Sequence, residues 1–108
     1  MAKFMILCRG GEVDAPQYQT HMQKWRSWLR HLIEAGKLIS GEPLMAAGTR
    51  VSGRARSIAP YAPGPDEVGG YVFLSAASLR DALEISKDCP HLDVNGVLEI
   101  REIASIEE

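Results

Sequence analysis

The sequence predicts an α+β fold of the ferredoxin-like kind: a βαββαβ sandwich with an extra hairpin, an antiparallel sheet and both helices on one face. Three observations lead there. Gly69-Gly70-Tyr71-Val72-Phe73-Leu74-Ser75-Ala76 reads as a strand that is apolar on both faces, with Tyr71 and Phe73 one way and Val72, Leu74 and Ala76 the other. Residues 3 to 9 form a second such strand, with Phe4, Ile6 and Cys8 opposed to Met5 and Leu7. Two stretches with helical spacing of apolar residues separate the strands in the order βα, β with a hairpin, then βαβ. In a chain of 108 residues two helices cover only one face of a sheet. The other apolar face then needs a cover, and a second copy of the same molecule supplies it most simply, so a homodimer through the sheet face is expected.

Each element has its own signal. After the first strand, Gly10-Gly11 turns the chain, Pro16 suits a first helical turn, and Asp14 stands upstream as a candidate cap. Tyr18, Met22, Trp25, Leu29, Leu32 and Ile33 then recur at three- and four-residue spacing, and Gly36 ends the helix. A second strand is expected at residues 38 to 44, where Pro43 keeps Glu42 extended. Residues 46 to 70 are rich in Gly, Pro, Ala and Ser, and a structureless loop of that length does not suit a compact domain. A hairpin turning near Ser52-Gly53 is expected instead, its tail Pro60-Tyr61-Ala62-Pro63-Gly64-Pro65 forming a rim loop. Ser78-Leu79-Arg80-Asp81 reads as a capping box with Asp in the Glu position, opening a helix with an apolar stripe of Leu79, Ala82, Leu83 and Ile85. That helix runs to about Cys89 and Pro90, followed by a loop over 91 to 96 and a last strand at 97 to 103.

Composition narrows the functional classes. A length of 108 residues fits one domain. Twelve Lys and Arg against fourteen Asp and Glu give a net charge of −2, so neither nucleic acid nor an anionic membrane is an expected partner. No apolar run reaches bilayer length, and the run that begins the chain stops at Arg9 with no cleavage site after it, so it reads as a strand. Cys8 and Cys89 are too sparse for a disulfide scaffold, and reduced thiols in a cytoplasmic protein are expected. Three scattered histidines and the two cysteines have no metal-ligand spacing, and Gly10-Gly11 lacks the G-x-G-x-x-G and GK[ST] patterns, so no metal and no cofactor are expected.

The candidate chemistry rests on few residues. His21 borders the apolar stripe of the first helix, where an imidazole can serve as a general base, with Glu42 at a strand end as the nearest carboxylate. The plainer account is a boundary histidine bonded to backbone or water and a solvated strand-end acid. Trp28 sits off the stripe's centre and is a candidate contact for a planar ligand, as are Tyr61 and, at the end of the first strand, Arg9. Aromatic residues at helical spacing otherwise belong to a core. Arg50, Arg54 and Arg56 surround the hairpin tip, where three guanidinium groups can grip an anion or simply stay solvated.

Phe4-Met5, Arg9-Gly10-Gly11, Met22-Gln23-Lys24-Trp25, Gly36-Lys37-Leu38, Gly41-Glu42-Pro43-Leu44, Gly69-Gly70-Tyr71, Cys89-Pro90 and residues 97 to 103 together resemble the YCII-related family, in particular its DGPF branch. The resemblance implies a dimeric α+β barrel assembled through the sheet, and a suggested activity that leans on a His and Asp pair. The Asp-Gly-Pro-Phe segment that names the branch is replaced, counting back from Gly69-Gly70, by Ile58-Ala59-Pro60-Tyr61. Proline and an aromatic remain, while the acid and its glycine are gone, which weakens a catalytic role. Two functional expectations stand. One is cofactor-free acid–base chemistry on a small polar or cyclic metabolite in a cleft between the sheet, the first helix and residues 46 to 69. The other is a non-catalytic dimeric module that binds a ligand or a protein.

Overall fold

The computed structural model describes residues 1–61 and 64–106. Strand β1 (Ala2–Gly10) leads through a 3-10 turn at Ala15–Gln17 into helix α1 (Tyr18–Glu34), then β2 (Leu38–Pro43). The hairpin β3 (Gly48–Ser52) and β4 (Ser57–Tyr61) follows, then β5 (Val68–Ala76), helix α2 (Leu79–Ser86), a 3-10 turn at Pro90–Val94, and β6 (Gly96–Glu102). The main sheet has the order β2-β5-β1-β6, and every neighbouring pair is antiparallel. No helix among the described residues is long and apolar enough to cross a membrane.

Alternation along the two central strands divides the sheet as their sequences require. Phe4, Ile6 and Cys8 of β1, with Val72, Leu74 and Ala76 of β5, are buried under the helices. Trp28 and Leu32 of α1 close one part of this core and Ala82 of α2 the other. The opposite face carries Met5, Leu7, Tyr71 and Phe73, all half-buried, with the Tyr71 and Phe73 rings edge-to-face at 5.4 Å. The core residues of both helices lie on the other side, so α1 and α2 leave this face open.

The helix ends follow local chemistry. The Ser78 hydroxyl accepts from the Asp81 N–H at 3.2 Å, as the capping box expected from sequence requires, while the Asp81 carboxylate accepts from the Ala77 N–H at 3.1 Å, one residue before the N-cap, rather than from that of Ser78. Asp14 stands at the N-cap of the 3-10 turn but makes no side-chain cap bond; Pro16 suits the first positions of that turn, and α1 follows from Tyr18. Gly36 ends α1 with φ +71°, a conformation an L side chain resists.

Four expectations are corrected. The buried face of α1 runs through His21, Trp28 and Leu32, so Trp28 is central at 7% exposure, while Tyr18 and Ile33 are exposed at 55% and 62%. Helix α2 buries Ala82 and Ser86 and stops at Ser86, because the chain must turn before Cys89-Pro90. Residues 90 to 94 are a 3-10 turn rather than a loop. Pro60 and Tyr61 pair with Thr49 and Gly48 as the end of β4, since in a two-stranded ribbon a proline can sit with no N–H to offer; Ala62 and Pro63 of the expected rim loop lie outside the described residues.

Candidate functional site

The one histidine that the fold buries is His21, 9% exposed, on the sheet-facing side of α1. Four residues on, one helical turn away, the Trp25 Nε1–H donates to His21 Nε2 at 3.0 Å, and the two rings meet edge-on. With its Nε2 lone pair taken, the neutral ring carries its own proton on Nδ1 and presents a donor there. Burial holds the imidazole below its ordinary pKa; His91 and Lys24 press the same way, and Asp93 opposes them. His21 is therefore uncharged at neutral pH.

The neighbours come from the 3-10 turn at residues 90 to 94. His91 Nε2 lies 2.8 Å from the Arg9 carbonyl oxygen and donates to it, which ties the turn to the end of β1. Its ring lies against Gly96, where a Cβ would run into the imidazole, so the close approach of β6 to the turn requires glycine. Asp93 reaches back to α1 and lies 3.7 Å from Lys24 Nζ. Two surface depressions meet at Asp93. The first, about 760 Å3, lies at the end of the sheet between Gly10-Gly11, the start of α1, residues 64 to 67, and Asp93, Val94 and Asn95; its carboxylates are Glu12, Asp14, Glu67 and Asp93. The second, about 650 Å3, runs between α1 and α2 over Trp28, Leu32, Ile85 and Pro90, with Lys24, His31 and Lys37 at its edge.

The five site residues expected from sequence do not form one site: His21 and Trp28 share Trp25 as a neighbour on the helix side, while Arg9 and Tyr61 reach the adjacent residues Asp66 and Glu67. His21 and Glu42 lie on opposite faces of the sheet, so the expected pairing is not formed. The cause is a bulge in β2: Leu38 opposes Leu74, but Ser40 opposes Phe73, so the extra residue Ile39 turns Glu42 to the open face beside Tyr71. Without that residue Glu42 would share the helix face with Leu38. Arg9 also lies on the open face, where its Nε donates to Glu99 at 3.0 Å and its Nη1 to the Asp66 carbonyl at 3.2 Å. Trp28 is a core residue that also lines the groove between the helices. Tyr61 stands at the root of the ribbon, its hydroxyl donating to Glu67 at 2.6 Å and its ring 4.4 Å beneath the Arg50 guanidinium.

Asp93, His91 and Lys24 are the residues that sequence reasoning missed around His21. About seventy positions separate the two histidines, and no local pattern joins them. The available signal was Cys89-Pro90 after a helix, which starts a 3-10 turn as readily as a loop. Cys8 and Cys89 are both buried in the core, and the neighbouring Cys8 thiol, followed by burial, pushes Cys89 upward.

Comparison with known proteins gives two findings. The family model of the YCII-related domain matches residues 2–107. Among solved structures, the chain is similar to 5-chloro-2-hydroxyhydroquinone dehydrochlorinase from Burkholderia phenoliruptrix AC1100, in complex with 2,5-dihydroxybenzoquinone, at 16% identity and a TM-score of 0.54 over 94% of this chain and 93% of that one. At that identity the likeness shows the shared fold. No curated protein matches the chain significantly.

Proposed function

The chain belongs to the YCII-related family, and from that premise we propose that it is a homodimer which holds a small oxygenated ring compound beside His21 and performs cofactor-free acid–base chemistry on it. The observation that carries the reading is the state of His21: buried, uncharged, oriented by Trp25, and within electrostatic reach of Asp93, His91 and Lys24. A neutral imidazole with its N–H on Nδ1 stabilises a developing oxyanion by hydrogen bonding, and release of the Trp25 N–H from Nε2 on ligand binding would free that lone pair to accept a proton from the ligand. The ligand class is supported by the similarly folded dehydrochlorinase, whose bound compound is a dihydroxybenzoquinone. The dimer is supported by the open sheet face with Met5, Leu7, Tyr71 and Phe73.

One observation favours the second reading, a non-catalytic dimeric module that binds a ligand or a protein. Trp25 occupies the lone pair a general base would use, and among the described residues no carboxylate is hydrogen-bonded to His21. A panel of hydroxyquinones and hydroxybenzoates, 2,5-dihydroxybenzoquinone included, separates the two by thermal shift and by absorbance of the compound over time. Stabilisation and consumption that both vanish in His21→Ala support the enzyme; stabilisation without consumption supports the module. A compound that stabilises wild type and His21→Ala equally removes His21 from the site.

A further inference from the structure

We propose that the β3–β4 ribbon is a dimer arm that lies across a second copy of this chain and closes the acidic depression there. The inference rests on the homodimer reading and adds to it a specific contact. Among the described residues of its own subunit the ribbon joins no other strand and has no extensive packing on either helix. The protein is correspondingly flat and extended, 48 × 45 × 18 Å, with a radius of gyration of 15.7 Å, against about 13 Å for a compact chain of this length.

Cross-strand pairing puts Val51 and Ile58 on one ribbon face with Thr49 and Pro60, and Arg50, Ala59, Gly48 and Tyr61 on the other. The second face is tied home: Arg50 stacks on Tyr61, and Tyr61 bonds Glu67. The first face has no cover, with Val51 exposed at 64% and Ile58 at 75%, and the segment leading into it exposes Leu44 at 50% and Met45 at 90%. A lone two-stranded ribbon is marginal in water, so this apolar face calls for a partner surface.

Charge identifies the partner. From residue 43 to 65 the chain carries Arg50, Arg54 and Arg56 and no acidic residue. The depression at the sheet end is lined by Glu12, Asp14, Glu67 and Asp93 and by no basic residue. Both features stand at the same end of the sheet, since Pro43 at the ribbon's start opposes Gly70 and Arg9 beside the depression opposes Val68. Two open faces that meet about a twofold axis along the strands therefore bring each arginine-bearing tip to the other copy's carboxylates.

A dilution series by sedimentation tests this on wild type, on Arg54→Glu with Arg56→Glu, on Glu12→Lys with Asp14→Lys, and on all four changes together. Each surface pair should weaken the dimer about tenfold, and the combined variant should recover most of that loss. Ala55→Cys mixed with Glu12→Cys should give a disulfide-linked dimer, since the native thiols are buried. An unchanged dimer constant with no cross-link overturns the arm and leaves the dimer standing. A wild type that stays monomeric at every concentration overturns both.

Discussion

Gly96→Ala is expected to destabilise the protein sharply, because the new methyl group must displace the His91 ring that rests on Gly96. Overpacking of this kind costs about 1–3 kcal/mol. Moving the ring also breaks the 2.8 Å bond from His91 to the Arg9 carbonyl, worth about 0.5–1.5 kcal/mol. The total is about 2–4 kcal/mol, a fall in Tm of about 10–20 °C for a domain of this size. Urea denaturation gives the free energy directly. His91→Ala supplies the control: in its background the three atoms nearest the added methyl group are gone, so the double variant should lose far less than the two separate losses added together, a coupling of at least about 1 kcal/mol. The same His91→Ala change should raise the His21 titration midpoint followed by NMR, since His91 is one of the groups that hold it down. A neutral Gly96→Ala, or losses that simply add in the double variant, refutes the account of how the 90 to 94 turn is held against β6.

Two further outcomes follow from the geometry. The His21 imidazole titrates below 6.5 when folded, so on lowering the pH the unfolded chain takes up that proton first; stability should be level above pH 6.5 and fall below it, and the fall should be shallower in His21→Asn, as read from urea midpoints across pH 5–8. Equal slopes for the two proteins would contradict a buried neutral histidine. Ser78→Ala should lower stability by about 1 kcal/mol through the lost cap on α2, and Ser78→Asp should restore most of it; an unchanged Ser78→Ala would mean that the cap bond contributes nothing.

The two central strands were legible because alternation is a local property. Phe4, Ile6 and Cys8 against Met5 and Leu7, and Val72 and Leu74 against Tyr71 and Phe73, state the two faces without any knowledge of what covers them. The α2 cap was legible for the same reason, four residues sufficing to define it. Trp28 was misplaced because a helix stripe drawn through Tyr18 and Ile33 is rotated from the one the sheet selects, and only packing decides between them. Glu42 was misplaced by one residue of register: nothing in Leu38-Ile39-Ser40-Gly41 announces the bulge, yet it reverses the face of every residue after it. The groups around His21 were hidden by distance along the chain, since only the tertiary fold brings α1 and the 90 to 94 turn together.

The central claim is that the apolar face opposite the helices is buried by a second copy. The mass in solution tests it most directly, by light scattering on wild type and Phe73→Glu across micromolar concentrations. The account predicts a wild-type mass twice the 11.9 kDa of the single chain, and a shift toward 11.9 kDa in Phe73→Glu with its fold retained. A wild type of 11.9 kDa at every concentration, with Met5, Leu7, Tyr71 and Phe73 left facing water, would contradict it.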